Sequence, residues 1–105
     1  MIPQPEILMS VYLIAYDLVE EKKNAQIDYQ RLWDELRRLG AHRTQLSTWL
    51  INVTNTPQEL VEHFRDFVDH NDRIWVTKVF RGERWFVNAM AGTNKWLEAN
   101  PPEPR

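Results

Sequence analysis

The chain contains no cysteine. Disulfides, zinc–thiolate sites and thiol nucleophiles are therefore excluded. Its three glycines, Gly40, Gly82 and Gly92, stand far apart, so no glycine-rich loop is present to cradle a phosphate. The longest apolar stretch runs over residues 11–16, far too short to cross a membrane. Residues 1–6 carry neither a basic cluster nor an apolar run, so no secretory signal is expected and the expected location is the cytoplasm. No helical His-x-x-x-His pair occurs, and neither Ser10 nor Ser47 has a nearby histidine with a third partner, which disfavours a nucleophilic triad. Charge of one sign is also lacking. The net charge is −2 and the isoelectric point about 5.9, which argues against a strong, sequence-independent polyanion binder.

What is present is the composition of one folded domain: 105 residues, 43% hydrophobic and 27% charged. The charges are unevenly spread. Residues 56–72 hold five acids (Glu59, Glu62, Asp66, Asp69, Asp72) against Arg65, whereas residues 73–84 hold four bases (Arg73, Lys78, Arg81, Arg84) against Glu83. Any bound nucleic acid would face away from the acidic segment.

Residues 7–17 read as a first strand. Val11, Leu13 and Ala15 alternate with Tyr12, Ile14 and Tyr16; both sets are apolar, as in a central strand covered on both faces. A helix is expected over residues 25–39, with Asn24 as N-cap and Gly40 as the stop after Arg37 and Arg38. Its Tyr29, Leu32, Trp33, Leu36 and Leu39 fall at helical spacing and read as core. Residues 42–53 are extended and longer than one ordinary strand, so two short strands are expected to meet near residues 45–47. The second helix, residues 56–70, opens on a capping box, Thr56-Pro57-Gln58-Glu59. Leu60, Val61, Phe64, Phe67 and Val68 form its buried stripe; His63 and His70 are expected to face solvent. A strand follows over 73–80, then a turn at 81–83, a short returning strand over 84–88 and a helical turn over 93–99. Residues 100–105 show no means to pack.

The order β-α-β-β-α-β with an appended strand points to an α+β, ferredoxin-like sandwich with an extra C-terminal strand. Residues 1–6 form an N-terminal extension, 7–99 the domain and 100–105 a disordered tail. Both helices should cover one sheet face. The first strand is apolar on both sides, so the other face also needs cover, and a second copy would supply it in a homodimer.

Asp17 is the residue least explained by structure alone. A carboxylate at the end of a buried strand is costly unless solvated, paired or bound to a cation. Two readings stand side by side: a strand-end cap accepting loop N–H groups, or a ligand to magnesium, which is often held by one or two carboxylates plus water and substrate phosphate.

Tyr12-Leu13-Ile14-Ala15-Tyr16-Asp17 resembles the first strand of the CRISPR-associated protein two family, an apolar strand ending in Tyr-Asp. Residues 40–49 resemble the family's second signature: Gly40 after the first helix, then Arg43, Gln45 and Ser47 at alternating positions and an aromatic, here Trp49. Ser47-Thr48-Trp49 and His70-Asn71-Asp72 look closest to the stand-alone SinR-like branch, and the virulence-associated protein D toxins are similar too. The resemblance implies a ferredoxin-like homodimer with strand-end aspartates facing each other across the dimer axis. Some such proteins are metal-dependent endonucleases on RNA or double-stranded DNA; others are scaffolds for an integrase partner. Carried over, Asp17 is the catalytic metal ligand for Mg²⁺ or Mn²⁺. Arg43 contacts phosphate or stabilises developing charge, and Gln45 and Ser47 match the signature at the nucleic acid. Arg37 and Arg38 are further candidates for that contact, although their ordinary role is to complement the helix dipole. The loop after Asp17 departs from the pattern: Glu20 and Glu21 precede Lys22 and Lys23 where arginines are usual. These two acids would repel phosphate or add carboxylates to a metal site. The expectation is a metal-dependent endonuclease, and the alternative is a non-catalytic dimeric module that binds protein or nucleic acid.

Overall fold

The computed structural model describes residues 9–19 and 25–105, with the backbone alone for 25–28. The expected extension at 1–6, the strand start at residue 7, the cap at Asn24 and the pair Glu20 and Glu21 lie outside these residues.

Four strands form one antiparallel sheet: β1 (Ser10–Asp17), β2 (His42–Gln45), β3 (Thr48–Val53) and β4 (Arg73–Lys78). Their spatial order is β2-β3-β1-β4. With helices α1 (Ala25–Arg38) and α2 (Pro57–Phe64) and a short α3 (Thr93–Ala99), the architecture is α+β and compatible with a ferredoxin-like fold. Among the described residues no helix is long and apolar enough to cross a membrane.

Strand β1 is central because it is apolar on both sides. Tyr12, Ile14 and Tyr16 point to one face and join Trp49 and Ile51 of β3, Leu32 and Leu36 of α1, and Leu60 and Phe64 of α2 in the main core. Helix α2 starts where its sequence says it should. Thr56 Oγ1 accepts from Glu59 N at 3.2 Å, and Glu59 Oε1 accepts from Thr56 N at 2.8 Å. It is shorter than expected, giving way at Phe64 to a 3₁₀ turn over Arg65–Phe67. Beyond that turn the Asp72 carboxylate takes the chain's donors, Asp69 N at 2.7 Å and Val19 N at 2.8 Å. Such side-chain acceptance competes with helix continuation.

The other sheet face is covered only in part, and by this chain itself. Val11, Leu50, Val79 and Leu97 make a second, smaller core beneath α3. Thr93 docks α3 onto β2: its Oγ1 pairs with His42 Nε2 at 2.9 Å and with Thr44 Oγ1 at 3.2 Å. Burial holds the His42 pKa below its ordinary value. The half of this face around Ala15, Asp17, Thr48 and Trp75 has no such cover among the described residues.

Two expectations are corrected here. Residues 84–88 do not form a returning strand. The chain turns at Gly82 and is pinned at the far side of the sheet, where Met90 N donates to Thr44 O at 2.9 Å. It therefore crosses the open face instead of running beside β4, and leaves Trp85 96% exposed. Residues 100–105 do find partners. Glu103 pairs with Lys78 and accepts from Ser10 Oγ, its carbonyl accepts from Arg81 N at 2.9 Å, and Pro102 is buried. Arg105 forks onto Glu83 at 2.9 and 2.8 Å while stacking on Phe80. Polar and charged side chains at both ends of this contact hold a segment that has almost no apolar residues of its own.

Candidate functional site

Strand β1 delivers Asp17 to the end of the uncovered half-face. Alternation along the strand puts Asp17 on the side of Ala15, and the register sets Asp17 opposite Arg73 and Ala15 opposite Trp75 on β4 and Thr48 on β3. These residues and Ser47 line an open groove of about 340 Å³. The Asp17 side chain is 72% exposed, and its neighbouring charge is Arg73, with Nη1 3.9 Å from Asp17 Oδ2. An ion pair this exposed contributes about 0–1 kcal/mol. Asp17 accepts no backbone N–H among the described residues; the strand-end capping anticipated for it is done by Asp72. The carboxylate is therefore solvated and available, which fits the donor chemistry of a hard cation. Among the described residues no group of three or more His, Asp or Glu could hold a metal, and Asp17 is the carboxylate that lines this groove. Water, a substrate phosphate, a second Asp17 or a carboxylate outside the described residues would complete any such shell.

Arg43 lies round the corner of the same strand end. Its Nε and Nη2 both donate to Leu46 O, at 3.0 and 2.5 Å, and its guanidinium stacks on Trp33 with 4.7 Å to the ring centroid. This clamps the β2–β3 turn and fixes the arginine, leaving Nη1 out of these bonds. Ser47 joins the two places. Its carbonyl accepts from Tyr16 N at 3.1 Å, and with Tyr16 it borders both the Asp17 groove and a pocket of about 310 Å³ next to Arg43. Tyr16 is the shared wall. Its hydroxyl accepts from Trp33 Nε1 at 2.8 Å and Trp49 Nε1 at 3.1 Å.

The other candidates are placed elsewhere. Gln45 sits at the bulge between β2 and β3 and borders a small pocket under Trp85 and Phe86. Arg37 stands over the Trp49 ring at 5.5 Å, with Asp34 3.8 Å away. Arg38 is committed to structure: Nε and Nη2 close on the Glu35 carboxylate at 2.7 and 2.8 Å. His63, half-exposed as expected, also reaches Glu35, at 2.5 Å, and so ties α2 to α1. Arg38 first, then His63, hold the Glu35 pKa down to about 2 against the opposing effect of burial.

Two groove residues were not named as site residues from sequence: Trp75, and Arg73, which stood out only as the first base of the basic stretch 73–84. The alternation Arg73, Trp75, Thr77 against Ile74, Val76, Lys78 was readable, but only the β1–β4 register shows which set shares a face with Asp17. Trp33 read as plain core, whereas it is half-buried and fronts the Arg43 pocket.

No protein-family model matches the chain. Among solved structures it is similar to a hypothetical protein, TT1823, from Thermus thermophilus, with a TM-score of 0.59 and 18% identity over 78% of this chain and 95% of that one. At that identity the likeness speaks for the fold alone, and it agrees with the sheet and helix arrangement described above.

Proposed function

We propose that this chain is a metal-dependent phosphodiesterase acting on RNA or double-stranded DNA, and that it works as a homodimer in which Asp17 from both copies shares one Mg²⁺ or Mn²⁺. The observation that carries this reading is the state of Asp17: an exposed carboxylate at the mouth of a groove, with no backbone donor on it and one weak arginine partner among the described residues. The resemblance of residues 12–17 and 40–49 to the CRISPR-associated protein two family supports the same role.

Asp17 would hold the cation and so position the scissile phosphate in the groove. The bound ion supplies Lewis-acid polarisation of the phosphate and a more acidic water. Arg73 lies where it can release Asp17 and turn to a phosphate oxygen, and Arg43 offers its remaining N–H groups from a fixed position. The dimer is supported by apolar surface. Trp75 beside the groove is 70% exposed, and Trp85 on the crossing segment is more so. Large exposed aromatics on an uncovered sheet face mark a docking surface, and a second copy laid there would bring two Asp17 groups toward one axis.

The alternative is a non-catalytic dimeric adaptor for nucleic acid or an integrase-like protein. It is favoured by the lack, among the described residues, of a further carboxylate in the groove beside Asp17, and by the cationic Arg73 standing next to it. Incubation of labelled RNA and duplex DNA with the protein in Mg²⁺, Mn²⁺ or EDTA separates the two. The enzyme reading expects cleavage that needs the ion and is lost in Asp17→Asn without loss of folding. Binding with no cleavage under any ion supports the adaptor.

A further inference from the structure

We propose that the pocket fronted by Tyr29, Trp33, Arg43 and Leu46 seats an unpaired nucleobase of the strand whose phosphate lies in the Asp17 groove; this rests on the nucleic-acid reading above and adds the substrate's strandedness to it. The first ground is continuity. Tyr16 and Ser47 border both cavities, so a chain entering the groove at Asp17 leads over Ser47 into the pocket. The second is shape and chemistry. The pocket, about 310 Å³, presents the rings of Tyr29 and Trp33, whose centroids are 6.0 Å apart and tilted by 58°, with Leu46 as an apolar lip that is 75% exposed. Aromatic walls accept the π-face of any base.

The third ground is charge. Among the described residues no acidic side chain borders this pocket, and Arg43 is the charged group facing it. A cation beside aromatic walls suits a base that carries a phosphate. The fourth is preorganisation. Trp33 Nε1 is held by Tyr16 Oη, Tyr29 Oη donates to Leu18 O at 3.1 Å, and Arg43 is fixed on Leu46 O and Trp33. The walls stand ready, so little ordering remains to oppose binding. A base inside a duplex is stacked on its neighbours and reaches such a pocket only by flipping out. Single strands, loops and frayed ends should therefore bind best.

The test uses the full chain in EDTA, so that no cleavage occurs, with fluorescein-labelled ten-nucleotide probes followed by anisotropy at one salt concentration. The probes are a single strand, the same backbone made fully abasic, and the duplex. The single strand should bind at least about fivefold tighter than the abasic probe, which has equal charge but nothing to stack, and tighter than the duplex. Leu46→Ser should reduce that preference severalfold while leaving the melting temperature unchanged, because Leu46 is exposed. Equal affinity for the single strand and the abasic probe, equal affinity for the duplex, or no binding of any probe overturns the proposal. Ion-dependent cleavage of duplex DNA without base preference would leave the Asp17 reading standing and remove this one. Base preference without cleavage in Mg²⁺ or Mn²⁺ would do the reverse.

Discussion

Replacing Tyr16 by phenylalanine probes the wall shared by the groove and the Arg43 pocket. The substitution removes one oxygen and little volume. That oxygen accepts from two indoles, Trp33 Nε1 at 2.8 Å and Trp49 Nε1 at 3.1 Å. Trp49 is 1% exposed, so its N–H is left buried without an acceptor. A buried orphan of this kind costs about 1–3 kcal/mol. Trp33 is half-buried and its N–H can turn to water, so its loss adds about 0.5–1 kcal/mol. Tyr16→Phe should therefore destabilise by about 1.5–4 kcal/mol, seen in urea titration as a lower midpoint at unchanged slope. In a thermal scan the melting temperature should fall by about 10–20 °C. The mechanism has a sharper signature in a double-mutant cycle. Trp49→Phe deletes the stranded donor, so Tyr16→Phe/Trp49→Phe should cost about 1–2 kcal/mol less than the sum of the single changes. A loss under about 0.5 kcal/mol for Tyr16→Phe, or strict additivity in the cycle, would refute the reasoning.

The Glu35 cluster predicts an acid limit. Its folded pKa of about 2 lies below the ordinary 4.5, so the unfolded chain binds the proton first, and this contribution to stability is present above about pH 4.5 and lost as pH falls through about 2. Urea midpoints measured from pH 6 to 2 should fall less steeply in Glu35→Gln than in the wild type. Thr56→Ala removes one half of the capping box and should cost about 1 kcal/mol in the same assay. Gly92, at φ +90, caps α3 with a backbone conformation that alanine adopts poorly, and an added Cβ would come within 3.4 Å of His42 Cε1; Gly92→Ala should cost about 1–2 kcal/mol, and hydrogen exchange should show α3 loosening first.

The parts legible in the sequence are those governed by local rules. The capping box at Thr56 and Glu59, the stripe Leu32, Leu36 with Leu60 and Phe64, and the two-sided apolar character of β1 follow from spacing alone, and together they fix a sheet with two helices on one face. The parts that were not legible depend on contacts between distant residues. Met90 reaches Thr44 across 46 positions and turns residues 84–88 away from β4. Glu103 reaches Lys78 and Ser10 and holds a segment whose composition reads as a free tail. Asp17 itself was legible as an oddity, because a carboxylate ending an apolar strand needs a reason. Its surroundings were not, since the choice of Asp72 as the loop cap and of Arg73 as the neighbour depends on register and loop path. The arginines divide the same way: Arg38 has a partner three residues away on its own helix, yet nothing in the spacing says that Glu35 is buried and forms the centre of a cluster.

The measurement that bears most directly on the central claim is a crystal structure of the protein grown with Mn²⁺, read by anomalous diffraction at the end of β1. The account predicts one ion on a twofold axis between two copies, bound by an Asp17 oxygen from each at about 2.0–2.6 Å, the range of hard-cation bonds to oxygen. Two Asp17 carboxylates held far apart, each still facing its own Arg73 with the ion absent or bound elsewhere, would contradict it.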